Sequence, residues 1–103
     1  AMAIEGGFFH KNVKTATTLG EARGAIIAAA AALDIPIYEY APRQVKQAVV
    51  GFGAASKDQV MRMVMTILSL DQEPPEDASD ALAVAICHAH KRSGHAALMP
   101  KPI

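Results

Sequence analysis

Acidic residues occur at two places where they could hold a cation. Glu5 ends a short apolar segment, and Asp77 and Asp80 lie three residues apart in a later acidic segment. A spacing of three puts both aspartates on one helix face, and carboxylates are the ligands of hard cations. Ligand sites in parallel α/β sheets gather at the carboxyl ends of strands, where Glu5 is expected. Simpler interpretations stay open, because Glu5 could face water and the aspartates could stabilise the start of a helix through its dipole.

Two lysines flank a glycine-rich turn and could contact phosphate. Lys46 precedes Gly51-Phe52-Gly53 and lies off the apolar stripe of its helix, and Lys57 begins the next helix, whose free N–H groups could meet an anion. Gly-x-Gly is too short to identify a phosphate loop. Lysines on exposed helix faces are also ordinary, so solvated lysines remain the simpler alternative.

The charge distribution is uneven although the formal net charge is zero. Seven basic and four acidic residues lie between positions 6 and 70, and five of the ten acids lie at positions 71–80. A mildly basic body with an acidic segment could bind phosphates on the body and cations in the segment. Taken alone, such runs are usually solvated faces.

A zinc site at Cys87-His88-Ala89-His90 is excluded by helical geometry. Residues two apart point to different sides of a helix, so the two histidines cannot converge on one ion. We expect a small buried thiol and two surface imidazoles. A single cysteine also excludes an internal disulfide and fits a reducing, cytoplasmic location.

The chain is expected to be soluble. Its longest apolar run, Ala25 to Leu33, has nine residues, whereas a membrane span needs about 20. The segment from Ala1 to Phe9 lacks the basic region and cleavage site of a signal peptide.

Two segments predict strands. The apolar run at positions 2–4, broken by Gly6-Gly7, indicates the end of a buried strand. The β-branched and aromatic segment from Ile35 to Tyr40 predicts a second strand with Pro36 near its start. Two strands make a marginal sheet, so the domain is expected to be incomplete.

Four segments predict helices. The first runs from about Lys14 to Leu33, and its predicted core face consists of Leu19, Ala22, Ile26, Ala29 and Leu33. The second begins at Pro42 and buries Val45, Ala48 and Val49. A capping box of Ser56 and Gln59 starts the third, whose predicted stripe is Val60, Met63, Val64, Ile67 and Leu68. The last runs from about Glu76 to Lys91. This order predicts a right-handed βαβ unit with parallel strands, followed by three helices.

Three motifs in chain order resemble the RuvC family of Holliday junction resolvases. The first is Ala3-Ile4-Glu5 followed by Phe8 and Lys11-Asn12. The second is the strand, turn and helix from Tyr38 to Gly53, with Lys57 at the second basic position of the family. The third is the helix Asp77-Ala78-Ser79-Asp80-Ala81-Leu82-Ala83-Val84-Ala85. Together they extend from Ala3 to about His90.

The resemblance implies a fold, a reaction and partners. The fold is α/β and RNase H-like, with a nuclease region at residues 1–92 and a flexible tail at 93–103. The reaction is Mg²⁺-dependent nicking of two opposed strands at a four-way DNA junction, with two metal ions expected and Mn²⁺ as a substitute. The implied partners are junction DNA, a second copy of the chain, and a branch-migration helicase complex.

The resemblance also implies residue roles. Glu5, Asp77 and Asp80 correspond to metal-binding catalytic acids, and Lys46 and Lys57 to phosphate contacts near the scissile strand. Phe8 or Phe9 corresponds to a wedge against junction bases, and Lys11 and Arg43 are further expected DNA contacts. The Ile-Asp-Pro-Gly run on the first strand of the family, which carries a fourth acid, has no match here. We therefore expect the first strands to be absent and the chain alone to be inactive. A non-cleaving module that binds branched DNA and a helical interaction domain are the alternatives.

Small residues on the first helix predict a close contact. Gly20, Gly24 and Ala28 repeat every four residues. The resemblance implies that the contact is with the same helix of a second subunit in a two-fold dimer. Close packing of this stripe on the sheet is the alternative.

Overall fold

The computed structural model describes residues 1–6, 13–93 and 102–103. Its elements are strand β1 (Met2–Glu5), helix α1 (Val13–Ala32), strand β2 (Ile37–Tyr40) and helices α2 (Pro42–Val49), α3 (Lys57–Leu68) and α4 (Glu76–Ser93). The two strands are parallel, with Met2 opposite Ile37 and Glu5 opposite Tyr40. The predicted partial α/β fold, a βαβ unit followed by three helices, is confirmed.

The hydrophobic core lies between β2 and the three C-terminal helices. Tyr40, Val64 and Cys87 are its largest fully buried side chains. The whole cluster consists of Tyr40, Val45, Val49, Ala55, Val60, Val64, Ala83, Val84, Ile86 and Cys87. The core therefore fixes α2, α3 and α4 around the end of the sheet, which is where the predicted site residues lie.

Local hydrogen bonds begin the helices of this core at defined residues. Pro42 is the first residue of α2, where its missing N–H costs no hydrogen bond. At the start of α3, Gln59 N donates to Ser56 Oγ at 3.1 Å and Ser56 N donates to Gln59 Oε1 at 2.8 Å. The predicted capping box is thus confirmed, and it fixes the backbone at Lys57, the first residue of α3.

The predicted core face of α1 is wrong. Leu33 is 72% exposed and Ile26 48% exposed, whereas Ala30 is buried. Of the predicted face only Leu19 is half-buried, and the inward side consists of Ala16, Leu19, Arg23, Ile27 and Ala30. Alanine occupies every position from 28 to 32, so the apolar pattern there is the same on every face. In the observed orientation of α1, Arg23 Nη2 forms an ion pair with Glu39 Oε2 of β2 at a distance of 2.8 Å.

The second strand begins two residues later than predicted because α1 ends in a Schellman motif. Asp34 adopts φ 56°, in the left-handed region. Its N–H donates to Ala31 O at 3.1 Å, and Ile35 N donates to Ala30 O at 2.9 Å. Ile35 therefore closes the helix and is not part of the strand.

Two smaller expectations about burial also differ. The C-terminal end of the α3 stripe is not buried, since Ile67 and Leu68 are about two-fifths exposed, at 41% and 40%, while Val60 and Val64 are buried. In β1, residues 2–4 are only half-buried. That strand pairs with β2 on one side, and no strand pairs with its other side among the described residues.

The predicted flexible tail at 93–103 stays a prediction, because residues 94–101 lie outside the described part. The helix α4 extends to Ser93. Ile103 N donates to Ile37 O at 2.7 Å. Among the described helices, none is long and apolar enough to cross a membrane.

Candidate active site

Glu5 stands at the carboxyl end of the parallel strand pair. It is the last residue of β1 and lies opposite Tyr40, the last residue of β2. The pairing continues by one hydrogen bond, from Gly6 N to Tyr40 O at 2.9 Å. Helix α2 begins two residues after Tyr40, so the glutamate lies at the edge of the sheet where the helical layer starts.

A small pocket of about 110 Å³ opens beside this strand end. Its lining comes from β1, α2, α3 and α4 and consists of Glu5, Pro42, Val45, Lys46, Lys57, Val60, Asp80 and Ala83. Two carboxylates and two ammonium groups therefore meet above an apolar floor. Four of the residues singled out in the sequence, on four different elements, are brought together.

The charges of this pocket act on Glu5 in opposite directions. Partial burial raises the pKa of the Glu5 carboxyl, and the negative charge of Asp80 raises it further. The positive charges of Lys57 and Lys46 lower it, with a smaller effect. A carboxyl group with a raised pKa in a pocket is typical of a functional site. Part of the shift comes from the repulsion of a second carboxylate, and a bound cation would relieve that repulsion.

Lys57 connects the pocket with a third acid. Its Nζ lies 2.5 Å from Glu76 Oε1 and 3.8 Å from Asp80 Oδ2. The hydrogen bond to Glu76 raises the pKa of Lys57, and the same bond lowers the pKa of Glu76. The sequence argument missed Glu76. Its four-residue spacing to Asp80, which places both on one helix face, was the available signal.

Asp77 is placed differently from the other two predicted acids. It is exposed and does not line the pocket. On α4 it lies seven residues before Val84, so it shares the flank of Asp80 that faces away from Lys57. Within the described ranges, no group of three His, Cys, Asp or Glu side chains is arranged to hold a metal ion.

An apolar groove of about 300 Å³ adjoins the pocket on that flank. It runs between β1, α1 and α4 and is lined by Ala3, Ile4, Glu5, Leu19, Ala22, Arg23, Ile26, Asp80, Ala81 and Val84. Glu5 and Asp80 therefore stand on the ridge between the pocket and the groove, and they can be reached from both sides.

The donor set fits a hard cation. Glu5 and Asp80 supply carboxylate oxygens from a strand end and a helix, and carboxylates are the ligands that Mg²⁺ takes from proteins. Their mutual repulsion, expressed in the raised pKa of Glu5, favours a positive ion between them. Asp77 as a further ligand stays a prediction.

The remaining predicted DNA contacts lie outside the pocket or outside the described residues. Arg43 is exposed on α2, and its side chain crosses the glycine-rich turn so closely that a Cβ at Gly53 would lie 2.6 Å from Arg43 Cγ. Phe8, Phe9 and Lys11 belong to residues 7–12, which the structure does not describe.

The expectation of two surface imidazoles is wrong for His88. Cys87 is fully buried, as predicted, and its Sγ lies 3.8 Å from Gln44 O. His90 is exposed. His88 lies on the side of α4 that faces the sheet and is half-buried, because its ring packs against Tyr38 with centroids 4.8 Å apart.

Comparison with known proteins identifies the family. A family model described as "Crossover junction endodeoxyribonuclease RuvC" matches residues 1–88. The chain belongs to the RuvC family. RuvC of Pelotomaculum thermopropionicum is 60% identical over 89 residues, and RuvC of Moorella thermoacetica is 57% identical over 89 residues. Each alignment covers 85% of this chain.

Solved RuvC structures share the fold. A structure described as "T. thermophilus RuvC in complex with Holliday junction substrate" matches with a TM-score of 0.87 at 40% identity, over 100% of this chain and 61% of that chain. The RNase H-like fold of the RuvC family is thereby confirmed. The chain spans about half the length of these curated relatives, 54% and 53% of the two named above.

Proposed function

We propose that this chain is the part of a RuvC-type endonuclease that carries most of its active site. The whole protein would resolve four-way DNA junctions in recombination and repair, in the cytoplasm. One observation carries the proposal: Glu5, Asp80, Lys46 and Lys57 line a single pocket at the carboxyl end of the sheet. Membership of the RuvC family and the likeness to a RuvC solved with junction DNA support the choice of substrate.

The residues of the pocket divide the work of phosphodiester hydrolysis. Glu5 and Asp80, with Asp77 as a third acid, would hold Mg²⁺ or, in its place, Mn²⁺. Two such ions would activate the attacking water and stabilise the leaving 3′ oxygen. Lys46 and Lys57 would bind the scissile phosphate and offset the charge that develops on it.

Other residues would contact the junction away from the scissile phosphate. Arg43, beside the Gly51-Phe52-Gly53 turn, and Lys11 would contact the DNA backbone. Phe8 or Phe9 would stack against bases at the branch point. A homodimer would present two such sites to opposed strands, and a branch-migration helicase complex would be the further partner.

The decisive experiment compares cleavage with binding. The 103-residue chain is incubated with a four-way junction and with duplex DNA of the same sequence in Mg²⁺, alone and joined to the N-terminal part of a RuvC relative. We expect the chain alone to bind the junction in preference to duplex without nicking it, and the joined protein to nick two opposed strands. Equal affinity for junction and duplex in both proteins would contradict the proposal.

One observation favours a binding role for the chain by itself. The pocket contains two carboxylates, and Asp77 is exposed and does not line it. Two ligands hold a cation less firmly than three or four. Junction binding without cleavage is therefore the second candidate function, and the same experiment distinguishes it, because this function predicts no cutting by the joined protein.

A further inference from the structure

Lys57 has two carboxylate partners that lie on one face of α4. The carboxylates within 4.0 Å of its Nζ, among the described residues, are Glu76 at 2.5 Å and Asp80 at 3.8 Å. Glu76 and Asp80 are four residues apart, so their side chains are neighbours on the helix. The ammonium group therefore lies between the acid of the pocket and an acid just outside it.

The backbone of Lys57 is fixed, whereas its side chain is not. The reciprocal hydrogen bonds of Ser56 and Gln59 set the first turn of α3. The Lys57 and Glu76 side chains are 69% and 71% exposed. An ion pair this exposed contributes at most about 1 kcal/mol to stability. The Lys57–Glu76 ion pair therefore matters for the position of the ammonium group rather than for the stability of the fold.

A cation between Glu5 and Asp80 would repel the Lys57 ammonium. Without another acceptor, the flexible four-carbon side chain would either keep competing for Asp80 or extend into solvent. Glu76 offers an acceptor on the outer side of Asp80. It belongs to an acidic hollow between α3 and α4 that is lined by Lys57, Asp58, Met61, Glu73, Pro74, Glu76, Ser79 and Asp80.

We propose that Glu76 is a positioning residue, which holds the Lys57 ammonium beside the pocket, off Asp80 and within reach of a bound phosphate. This inference rests on the proposed function and deepens it by assigning a role to an acid outside the predicted site. Glu76 itself contacts neither the cation nor the DNA. It acts through Lys57, so its effect requires that lysine.

A double-mutant cycle tests this dependence. Mn²⁺ affinity is measured by calorimetry for the 103-residue chain, Glu76→Gln, Lys57→Gln and the double variant. Glu76→Gln is expected to weaken Mn²⁺ binding about two- to fivefold, the range open to an exposed ion pair, because the freed ammonium competes for Asp80. The same substitution in the Lys57→Gln background is expected to change the affinity by less than about 1.5-fold, because Glu76 acts through Lys57 and residues in contact have non-additive effects.

Glu73→Gln is the matched control. Glu73 lines the same hollow and loses the same charge, but its electrostatic effect is on Arg62. It is expected to leave Mn²⁺ affinity unchanged in both backgrounds. An equal effect of Glu76→Gln with and without Lys57, or no effect of it, would overturn the positioning role.

Junction binding gives the second measurement and separates the two proposals. Glu76→Gln is expected to lower junction affinity when Lys57 is present and to leave it unchanged in the Lys57→Gln background. If neither the chain alone nor the joined protein distinguishes a four-way junction from duplex, the proposed function fails, and the Mn²⁺ cycle still decides the role of Glu76. If junction and duplex are distinguished and the Mn²⁺ cycle shows no coupling between the two residues, the positioning role alone is wrong.

Discussion

The Tyr40 hydroxyl oxygen lies 2.7 Å from Nδ1 of His88, a residue 48 positions later in the chain. Tyr40 ends β2 opposite Glu5, and His88 lies about two turns after Asp80 on α4. This hydrogen bond therefore joins α4, which carries Asp80, to β2, the strand that pairs with the strand of Glu5. The other ring nitrogen, Nε2, is buried with no hydrogen-bond partner in the described part of the chain.

We expect stability to fall as the pH drops below about 6.5, because His88 is held neutral in the fold. Burial lowers the pKa of His88 below its ordinary value of 6.5, and the charges of Arg92 and the N-terminus lower it further. Tyr38 and Tyr40 of the sheet are the titratable groups that face the ring. The unfolded chain then binds the proton first, and stability declines by at most about 1.4 kcal/mol per pH unit for this one group.

Urea unfolding between pH 7.5 and pH 5 measures this effect. His88→Gln is expected to flatten the decline in this range, whereas His90→Gln, at an exposed position of the same helix, is expected to keep it. A decline of equal slope in both variants would assign the pH dependence to other groups.

Glu5 is expected to reduce stability while it serves metal binding. Burial and the charge of Asp80 raise the pKa of Glu5, so its ionised form at neutral pH is disfavoured. Glu5→Gln should raise the free energy of unfolding at pH 7, by less than about 1 kcal/mol because the carboxyl is only partly buried and is screened by solvent. Added Mn²⁺ should raise the melting temperature of the wild-type chain and leave that of Glu5→Gln unchanged. Equal thermal shifts in both proteins would remove Glu5 from the metal site.

The two pocket lysines are expected to make DNA binding depend on salt concentration. When Lys46 and Lys57 are both changed to Ala, the slope of log affinity against log salt should become shallower by roughly one unit per lost phosphate contact. In the full-length context, cleavage should fall further than binding, since the lysines also offset transition-state charge. Lys14→Ala on α1 removes a lysine that does not line the pocket and serves as the control. An unchanged slope in the double variant would exclude both lysines from the DNA contact.

The parts of the fold that the sequence predicted correctly are those with a local signal. The capping box of Ser56 and Gln59 and the proline at the start of α2 act within one turn of the helix they begin. The predicted buried face of α1 was wrong because the alanines of this helix make the apolar pattern the same on every side. In the observed orientation of α1, Arg23 forms an ion pair with Glu39 of β2. A periodic pattern within the helix cannot predict a contact with a residue this distant in the sequence.

The candidate site shows the same division. Motifs of the RuvC family indicated Glu5, Asp80, Lys46 and Lys57, and the fold brings them to one pocket. The spacing of Glu76 and Asp80 indicates that both lie on one face of α4. It does not indicate that this face meets Lys57, because that contact depends on how α3 packs against α4. The burial of His88 likewise depends on the two tyrosines of the sheet, whose position over α4 follows from tertiary packing.

The outer edge of β1 is expected to mediate association. No strand pairs with it among the described residues, and Ile4 lines the apolar groove beside it. An unpaired apolar edge is a template for another strand. We expect Ile4→Lys to reduce self-association in sedimentation velocity, while Ile67→Lys, at another exposed apolar position, leaves it unchanged. The N-terminal segment of a RuvC relative should suppress the association when added separately. Association that is equal in both lysine variants would place the contact elsewhere.

The small-residue stripe of α1 is expected to be the second contact between copies. Among the described residues, a Cβ at Gly20 or Gly24 would meet nothing within 4 Å, so this stripe does not pack on β1 or β2. In an Ile4→Lys background, which removes the edge contact, Gly24→Leu should convert dimers to monomers in light scattering. Helix content should be kept, because Leu favours helix over Gly by up to about 1 kcal/mol. Gly24→Ala, which adds a single methyl group, is expected to retain the dimer. A dimer that survives Gly24→Leu would show that the two-fold contact does not use this stripe.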